Sequence, residues 1–231
     1  MNRKEIIMER FTNQDQVIEN SQTVLWELME QLNRLPTLSL ADLKKEETAL
    51  AIVDVVNGFA KEGLLSSPRI QGIISPIAEM LEKFKEKDMT VVAFADSHTS
   101  DSVELKNYVQ HCIAGTYESE IVEEIQQIGG YTNFPKNSTN GFLEEDFQQW
   151  YAQHENIKNW IVTGDCTDIC ILNFALTLKN DYNRKNKESR VIVPLHIVET
   201  YHSKGHDADF MNLASAMIML NQGIELVRSV Q

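Results

Sequence analysis

Cysteine is scarce in this chain of 231 residues: Cys112, Cys166 and Cys170 are all there is. An odd number, with two of them four residues apart, does not make a secreted disulfide framework. Long hydrophobic runs are missing too, since no uninterrupted apolar stretch approaches the roughly 20 residues of a membrane-spanning helix. The opening MNRKEIIMERF has neither the apolar core nor the small-residue cleavage site of a signal peptide, so the expected compartment is the cytoplasm. Positive charge is in deficit, with 21 Lys and Arg against 34 Asp and Glu and a formal net charge of −13. Such a surface repels phosphate-rich partners and anionic bilayers, so neither nucleic acid nor membrane is expected as a partner. No internal repeat or low-complexity segment is present.

What remains is ordinary globular material, 42% hydrophobic and 24% charged, enough for one α/β domain with a sizeable core. Val17, Ile18, Val24, Leu25, Leu28, Met29 and Leu32 recur at helical spacing and predict a helix over residues 13–35, ended by Pro36. That segment carries no reactive side chains. A helix docked on its own domain and a contact in a homo-oligomer both fit it. Residues 1–47 are therefore read as an N-terminal helical extension, and 48–231 as the domain proper.

From residue 48 the pattern turns to alternation. Short apolar runs at 49–55, 90–95, 160–162, 191–197 and 224–227 predict buried strands, with a further short strand near 131–135. Helical patterns lie between them, at 69–87, 119–128, 144–154, 167–183 and 207–221, and the polar stretch 180–190 is expected as a surface loop. This alternation predicts an α/β fold, a three-layer α/β/α sandwich around a mostly parallel sheet of about six strands.

Ligands bind such sheets beyond the carboxyl ends of the strands. The residues that follow each predicted strand are Asp54 and Asn57-Gly58-Phe59, then Asp96-Ser97-His98, then Lys136, then Gly164-Asp165-Cys166-Thr167-Asp168-Ile169-Cys170. Reactive side chains thus gather at one rim. Cys170 falls in the first turn of a predicted helix that Thr167 or Asp168 can cap, where the dipole and unpaired N–H groups would lower a thiol from about 8.5 and receive an oxyanion. A buried structural cysteine is the competing reading of Cys170, and the preferred one for Cys112 and the Cys166 side chain. Asp96, His98 and His111 are good ligands for zinc or another divalent first-row ion, and a capping Asp with two surface histidines is the alternative.

The string Ile52-Val53-Asp54-Val55-Val56-Asn57-Gly58-Phe59, a lysine followed by a phenylalanine, and Gly164-x-x-Thr167-Asp168-x-Cys170 together resemble the isochorismatase-like cysteine hydrolases, especially nicotinamidases. The resemblance runs from about Thr48 to the C-terminus. It implies a catalytic Asp54, Lys136 and Cys170, an oxyanion hole from the backbone N–H groups of Cys166 and Cys170, and a cis peptide at Asp165–Cys166. It also implies metal ligands Asp96, His98 and His111, with Glu104 where some members add a glutamate, and zinc, iron or manganese as the ion. Phe59 and Tyr108 match the aromatic walls for a flat ring, and Phe142 is a further candidate.

The implied activity is hydrolysis of nicotinamide to nicotinate and ammonia through a thioester, a step of NAD salvage. Family members acting on carbamoyl or ureido compounds generally lack the metal, and isochorismatases lack the cysteine. Val56, Gly58 and the long polar run Lys136-Asn137-Ser138-Thr139-Asn140-Gly141-Phe142 depart from the family pattern. These keep open another small carboxamide or ureido substrate. A non-catalytic binding protein on the same fold is a third reading. His202 and His206 are expected in a loop leading into the last helix.

Overall fold

A computed structural model describes residues 13–231, and the chain divides after Leu35 into two units. In the first, helix α1 (Gln14–Asn33) begins at Asn13, whose side chain accepts a hydrogen bond from the Gln16 N–H at 3.2 Å. Its Val17, Ile18, Val24 and Trp26 are exposed. Pro36, which lacks an amide N–H, follows the helix closely.

The second unit, Pro36–Gln231, is built on parallel pairings. Strand β1 (Thr37–Leu38) pairs with β9 (Ser229–Val230) as a small ribbon apart from the main sheet. Among the described residues the main sheet has seven strands: β2 (Thr48–Val53), β3 (Thr90–Asp96), β4 (Thr132–Lys136), β5 (Asn159–Asp165), β6 (Arg190–Pro194), β7 (Val198–Glu199) and β8 (Glu225–Val227). Their spatial order is β4-β3-β2-β5-β6-β8, with β7 beside the end of β5. The sandwich is the α/β fold expected from the strand–helix alternation.

Alternation of side chains decides what each face meets. Leu50, Ile52, Ala93 and Ile161 point into one layer with Ile77, Met80, Leu81 and Phe84 of the helix Ile74–Glu86, and with Ile125 of Glu123–Ile128. On the other face Phe94, Phe134 and Trp160 meet Phe147 and Tyr151 of the helix Glu145–Gln153 and Phe174 of Leu172–Arg184. Trp160 Nε1–H donates to the Tyr182 hydroxyl at 3.0 Å, which satisfies its one polar atom. Ring pairs at such 5–6 Å spacings add about 1 kcal/mol each beyond the area they bury.

Several boundaries differ from expectation. The helix expected over 69–87 is two, Pro68–Gln71 and Ile74–Glu86, separated at Gly72–Ile73. The strand expected over 191–197 stops at Pro194 in a short 3₁₀ turn before β7, since proline has no N–H to continue a ladder. The stretch 180–190 is not all loop, because the helix runs to Arg184. The compact unit also begins at Pro36, ahead of residue 48, and contains the β1–β9 ribbon.

Candidate active site

The carboxyl ends of β2 to β5 build the site. Asp54 stands one residue past β2 with φ 57°, a left-handed conformation that an aspartate tolerates better than a branched residue. Its N–H donates to the Phe94 carbonyl at 2.9 Å, which fixes the bend and keeps the carboxyl fully buried. Asp96 and Lys136 are register partners at the ends of β3 and β4. At Gly164 (φ +116°) a Cβ would lie 1.9 Å from the Val53 carbonyl oxygen, so only glycine lets β5 close on β2 beside Asp54. The Asp165–Cys166 peptide is cis.

Three elements therefore converge. Lys136 Nζ lies 2.9 Å from Asp54 Oδ2, 2.6 Å from Asp96 Oδ1 and 3.7 Å from Cys170 Sγ, and also donates to the Ser138 carbonyl at 3.0 Å. Its side chain is 1% exposed, so this ammonium has given up water for carboxylates. Burial works against the Lys136 charge, but Asp54, Cys170 and Asp96 outweigh it and hold the amine well above its ordinary range. Burial pushes the Asp54 carboxyl up to about 6, with Lys136 pulling against it and Asp96 adding to it. Asp54 Oδ1 has no hydrogen-bond partner.

Cys170 departs from the expectation of a lowered thiol. It sits in a π-helical turn, Thr167–Ile171, rather than the open first turn of an α-helix, and is 8% exposed. Burial pushes the thiol well above its ordinary value, Lys136 opposes this, and Asp54 and Asp96 reinforce it. Two carboxylates beside one ammonium leave a net negative site, which favours the neutral thiol. Neither Thr167 nor Asp168 caps the helix with its side chain. Asp168 instead accepts from Thr200 Oγ1 at 2.6 Å and from His206 Nε2 at 2.9 Å.

Asp96, His98 and His111 form a buried group whose ligand atoms lie within 4.8 Å of one another. The backbone bridge between His98 and Ile113 draws the loop carrying His111 back to the strand end. His98 Nδ1 is 3.2 Å from Asn137 Oδ1, and His111 Nδ1 donates to the Val109 carbonyl at 2.7 Å. With those nitrogens occupied, both Nε2 atoms face Asp96 Oδ2, at 2.9 Å and 3.1 Å, and His98 Nε2 has no aligned hydrogen bond. Two imidazole lone pairs and a carboxylate aimed at one another fit a shared divalent cation. Burial disfavours the Asp96 carboxylate, yet Lys136 and the two histidines outweigh it and hold the group below the usual carboxylate range. Glu104 is adjacent, with Oε1 3.8 Å from His98 Nε2, but its Oε2 accepts from the Thr139 N–H at 3.0 Å and it stands outside the three-residue group.

A cavity of about 50 Å³ joins the two clusters, with Cys166, Cys170, Asp96 and His111 on its wall. Phe59 and Tyr108 line it and flank His111 at 5.5 and 6.1 Å between ring centroids. Phe142 does not reach it. That ring lies 5.4–6.3 Å from Phe147, Tyr151 and Phe174, on the far face of the sheet, because Gly141 packs against the Phe94 ring and turns the chain away from the rim. Sequence reasoning missed Leu65, Ile169, Thr139 and Tyr201, all on the wall. It also missed Asp165, fully buried with an unpartnered Oδ2 and pushed up by burial and by nearby Asp54. Apolar or loop residues carry no motif of their own, and only the three-dimensional rim gathers them.

A parallel α/β sheet with a cysteine, a lysine and two aspartates interlocked at its carboxyl rim narrows the class, and the family follows from the sequence. Residues 48–222 match the isochorismatase domain, and the chain belongs to that family. It is similar to Nicotinamidase 1 of Arabidopsis thaliana, 28% identical over 240 residues that cover 91% of this chain and 98% of the relative. Among solved structures, the zinc-bound pyrazinamidase of Pyrococcus horikoshii superposes with a TM-score of 0.64 at 23% identity, covering 78% of this chain and 98% of that one. The N-carbamoylsarcosine amidase of Thermoplasma acidophilum does equally well, with a TM-score of 0.64, 24% identity and coverages of 79% and 96%. At these identities the two structures speak for the fold. Among the described residues no helix is long and apolar enough to cross a membrane.

Proposed function

We propose that this protein is a cysteine amidohydrolase that cleaves nicotinamide to nicotinate and ammonia, a cytoplasmic step of NAD salvage. The observation that carries the reading is the contact of Lys136 Nζ with Asp54 and Cys170 at 2.9 and 3.7 Å, with Cys170, Asp96 and His111 together on the wall of one cavity. The similarity to a plant nicotinamidase over 91% of the chain supports the substrate.

In this reading Cys170 rests as the thiol. Its Sγ attacks the carboxamide carbon while its proton passes to Asp54, which burial makes a stronger base than an ordinary carboxylate. Lys136 stays an ammonium throughout and offsets the negative charge that moves between sulfur and carboxylate. The backbone N–H groups of Cys166 and Cys170 receive the oxyanion, a contribution commonly worth about 3 kcal/mol per donor. Asp54 then returns the proton to the nitrogen, ammonia departs, and a thioester is left on Cys170. A water that gives a proton to Asp54 hydrolyses the thioester to the carboxylate and restores the thiol.

A divalent ion, zinc by preference, held by Asp96, His98 and His111 would supply a Lewis-acidic anchor for a ring nitrogen. Phe59 and Tyr108 hold the ring flat, and Glu104 steadies the lysine loop through Thr139.

Ammonia release from nicotinamide by metal-replete wild type and by Cys170→Ala tests the reading. Wild type should turn over and the variant fall to background. Equal rates, or a wild type at background, would refute it. A second reading, another small carboxamide or ureido compound, draws on the equal likeness to the carbamoylsarcosine amidase fold and on the polar lysine loop. An amide panel with and without chelator separates the two.

A further inference from the structure

Part of the cavity wall comes from a strap that follows β7. After β7 the chain turns through residues 200–207, and the Tyr201 ring enters the cavity wall beside Cys166 and Cys170. Tyr201 is not left to pack by chance. Its ring lies flat on the His206 imidazole, with centroids 4.0 Å apart and planes within 5°. His206 Nδ1 is 3.0 Å from the Tyr201 carbonyl, and its Nε2 is 2.9 Å from Asp168 Oδ2. A pair of backbone hydrogen bonds between Ser203 and His206, both 3.0 Å, closes the strap.

Both ends are tied. Asp168 belongs to the same π-helical turn as Cys170 and also accepts from Thr200. Arg69, which follows the loop carrying Leu65, pairs with Glu199 at 3.0 Å and Asp209 at 2.8 Å on either side of the strap. Leu65 and Tyr201 are thus two lips of one mouth, braced by a single guanidinium.

We propose that Tyr201, held in place by the positioning residue His206, is the specificity-determining wall that limits the site to small planar amides and screens Cys170 from bulkier molecules. The limit to a small planar group among Tyr201, Phe59 and Tyr108 follows from a cavity of about 50 Å³, far smaller than the several hundred Å³ of drug-sized pockets. A stacked pair costs little entropy to hold, because the imidazole has an acceptor oxygen within 3.0 Å of each nitrogen and its ring plane is set between them.

Two readouts test this. The first is the alkylation rate of Cys170, followed by peptide mass spectrometry, with N-phenylmaleimide as the bulky probe and iodoacetamide as the slim one. Tyr201→Ala and His206→Ala should each raise the bulky-to-slim ratio, by about tenfold and severalfold, and Tyr201→Phe should keep the wild-type ratio. The second is steady-state kinetics. With nicotinamide the alanine variants should raise KM by about tenfold while kcat moves little, and KM for the acyclic propionamide should stay unchanged. The kinetic arm rests on the amidohydrolase reading; the alkylation arm does not. If no amide is turned over but the ratio moves, the amidohydrolase reading fails and the wall stands. An unchanged ratio in both alanine variants, with circular dichroism showing them folded, overturns the proposal whatever the kinetics. Should Tyr201→Ala fail to fold, His206→Ala, at a partly exposed position, decides on the same criterion.

Discussion

Replacing Asp54 by asparagine separates what this carboxyl does for stability from what it does for chemistry. The side chain is fully buried, its Oδ1 has no hydrogen-bond partner, and its one close cation, Lys136, is shared with Asp96. Folding moves its pKa from 3.8 to about 6. A group raised on folding favours the folded state below its unfolded pKa, and that contribution is lost as pH rises through the folded value. At about 1.4 kcal/mol per pH unit the full loss is about 3 kcal/mol, spread over pH 4–6. The carboxamide of the variant would not titrate, and Lys136 keeps Asp96 at 2.6 Å and the Ser138 carbonyl at 3.0 Å. Urea denaturation should therefore show Asp54→Asn gaining about 2–3 kcal/mol on wild type between pH 4 and pH 7.5. Activity should run the other way. Wild-type kcat/KM should show an acid limb near pH 6, because a protonated Asp54 cannot take the thiol proton, and Asp54→Asn should lose about 10²- to 10⁴-fold at pH 7.5. A wild-type acid limb below pH 5, or a variant whose stability follows wild type across the whole range, would refute the reasoning.

The other replacements act on the same frame. Lys136→Met keeps the volume but strands two buried carboxylates, so denaturation at pH 7.5 should show a loss of about 3–5 kcal/mol; a loss under 1 kcal/mol would mean that the ammonium is not their counter-charge. His111→Ala should leave a folded protein that retains far less zinc after dialysis than wild type, as read by elemental analysis, and equal retention would remove this histidine from the metal group. Gly164→Ala meets a backbone oxygen at 1.9 Å and a positive φ together, so soluble yield should collapse; a variant with the wild-type melting temperature would show that β2 and β5 need not approach so closely.

The layers of this fold were readable because each strand carries its own apolar signal. Leu50 and Ile52 on one face and Phe94 and Trp160 on the other are burial choices that composition and spacing report directly. The rim was readable for a related reason: polar residues such as Asp54, Asp96 and Lys136 stand out at the end of apolar runs. Side-chain direction was not. Phe142 follows the lysine by only six residues, yet the close packing of Gly141 on Phe94 sends it to the opposite face, a contact between residues far apart in sequence. The His206–Asp168 bond spans 38 residues and depends on a strap whose own sequence reads as plain loop. β1 and β9, two residues each, are too short for any periodicity and exist because the first residues of the compact unit that starts at Pro36 pair with the C-terminal strand.

The protonation of Cys170 shows most sharply why spacing alone misleads. A cysteine after a strand and before a helix carries the expectation of a dipole-stabilised thiolate. That argument counts one helix and no neighbours. Here the same sulfur shares its single ammonium with Asp54 and Asp96, both buried, and two negative charges against one positive make a third the least favourable addition. The site therefore keeps a proton that a dipole-stabilised cysteine without these neighbours would give up more readily, and keeps it next to a carboxyl raised to about 6 that can accept it. In the proposed reaction the nucleophile forms only as it attacks and is shielded from stray electrophiles while it waits, since the neutral thiol reacts slowly. The same arithmetic ties metal to thiol: a divalent cation on Asp96, His98 and His111 would offset the charge on Asp96 and shift the balance at Cys170 toward ionisation. Cys170 should then react faster with iodoacetamide in zinc-loaded protein than after chelation, and equal rates would mean that Asp96 does not carry charge between the two halves of the site.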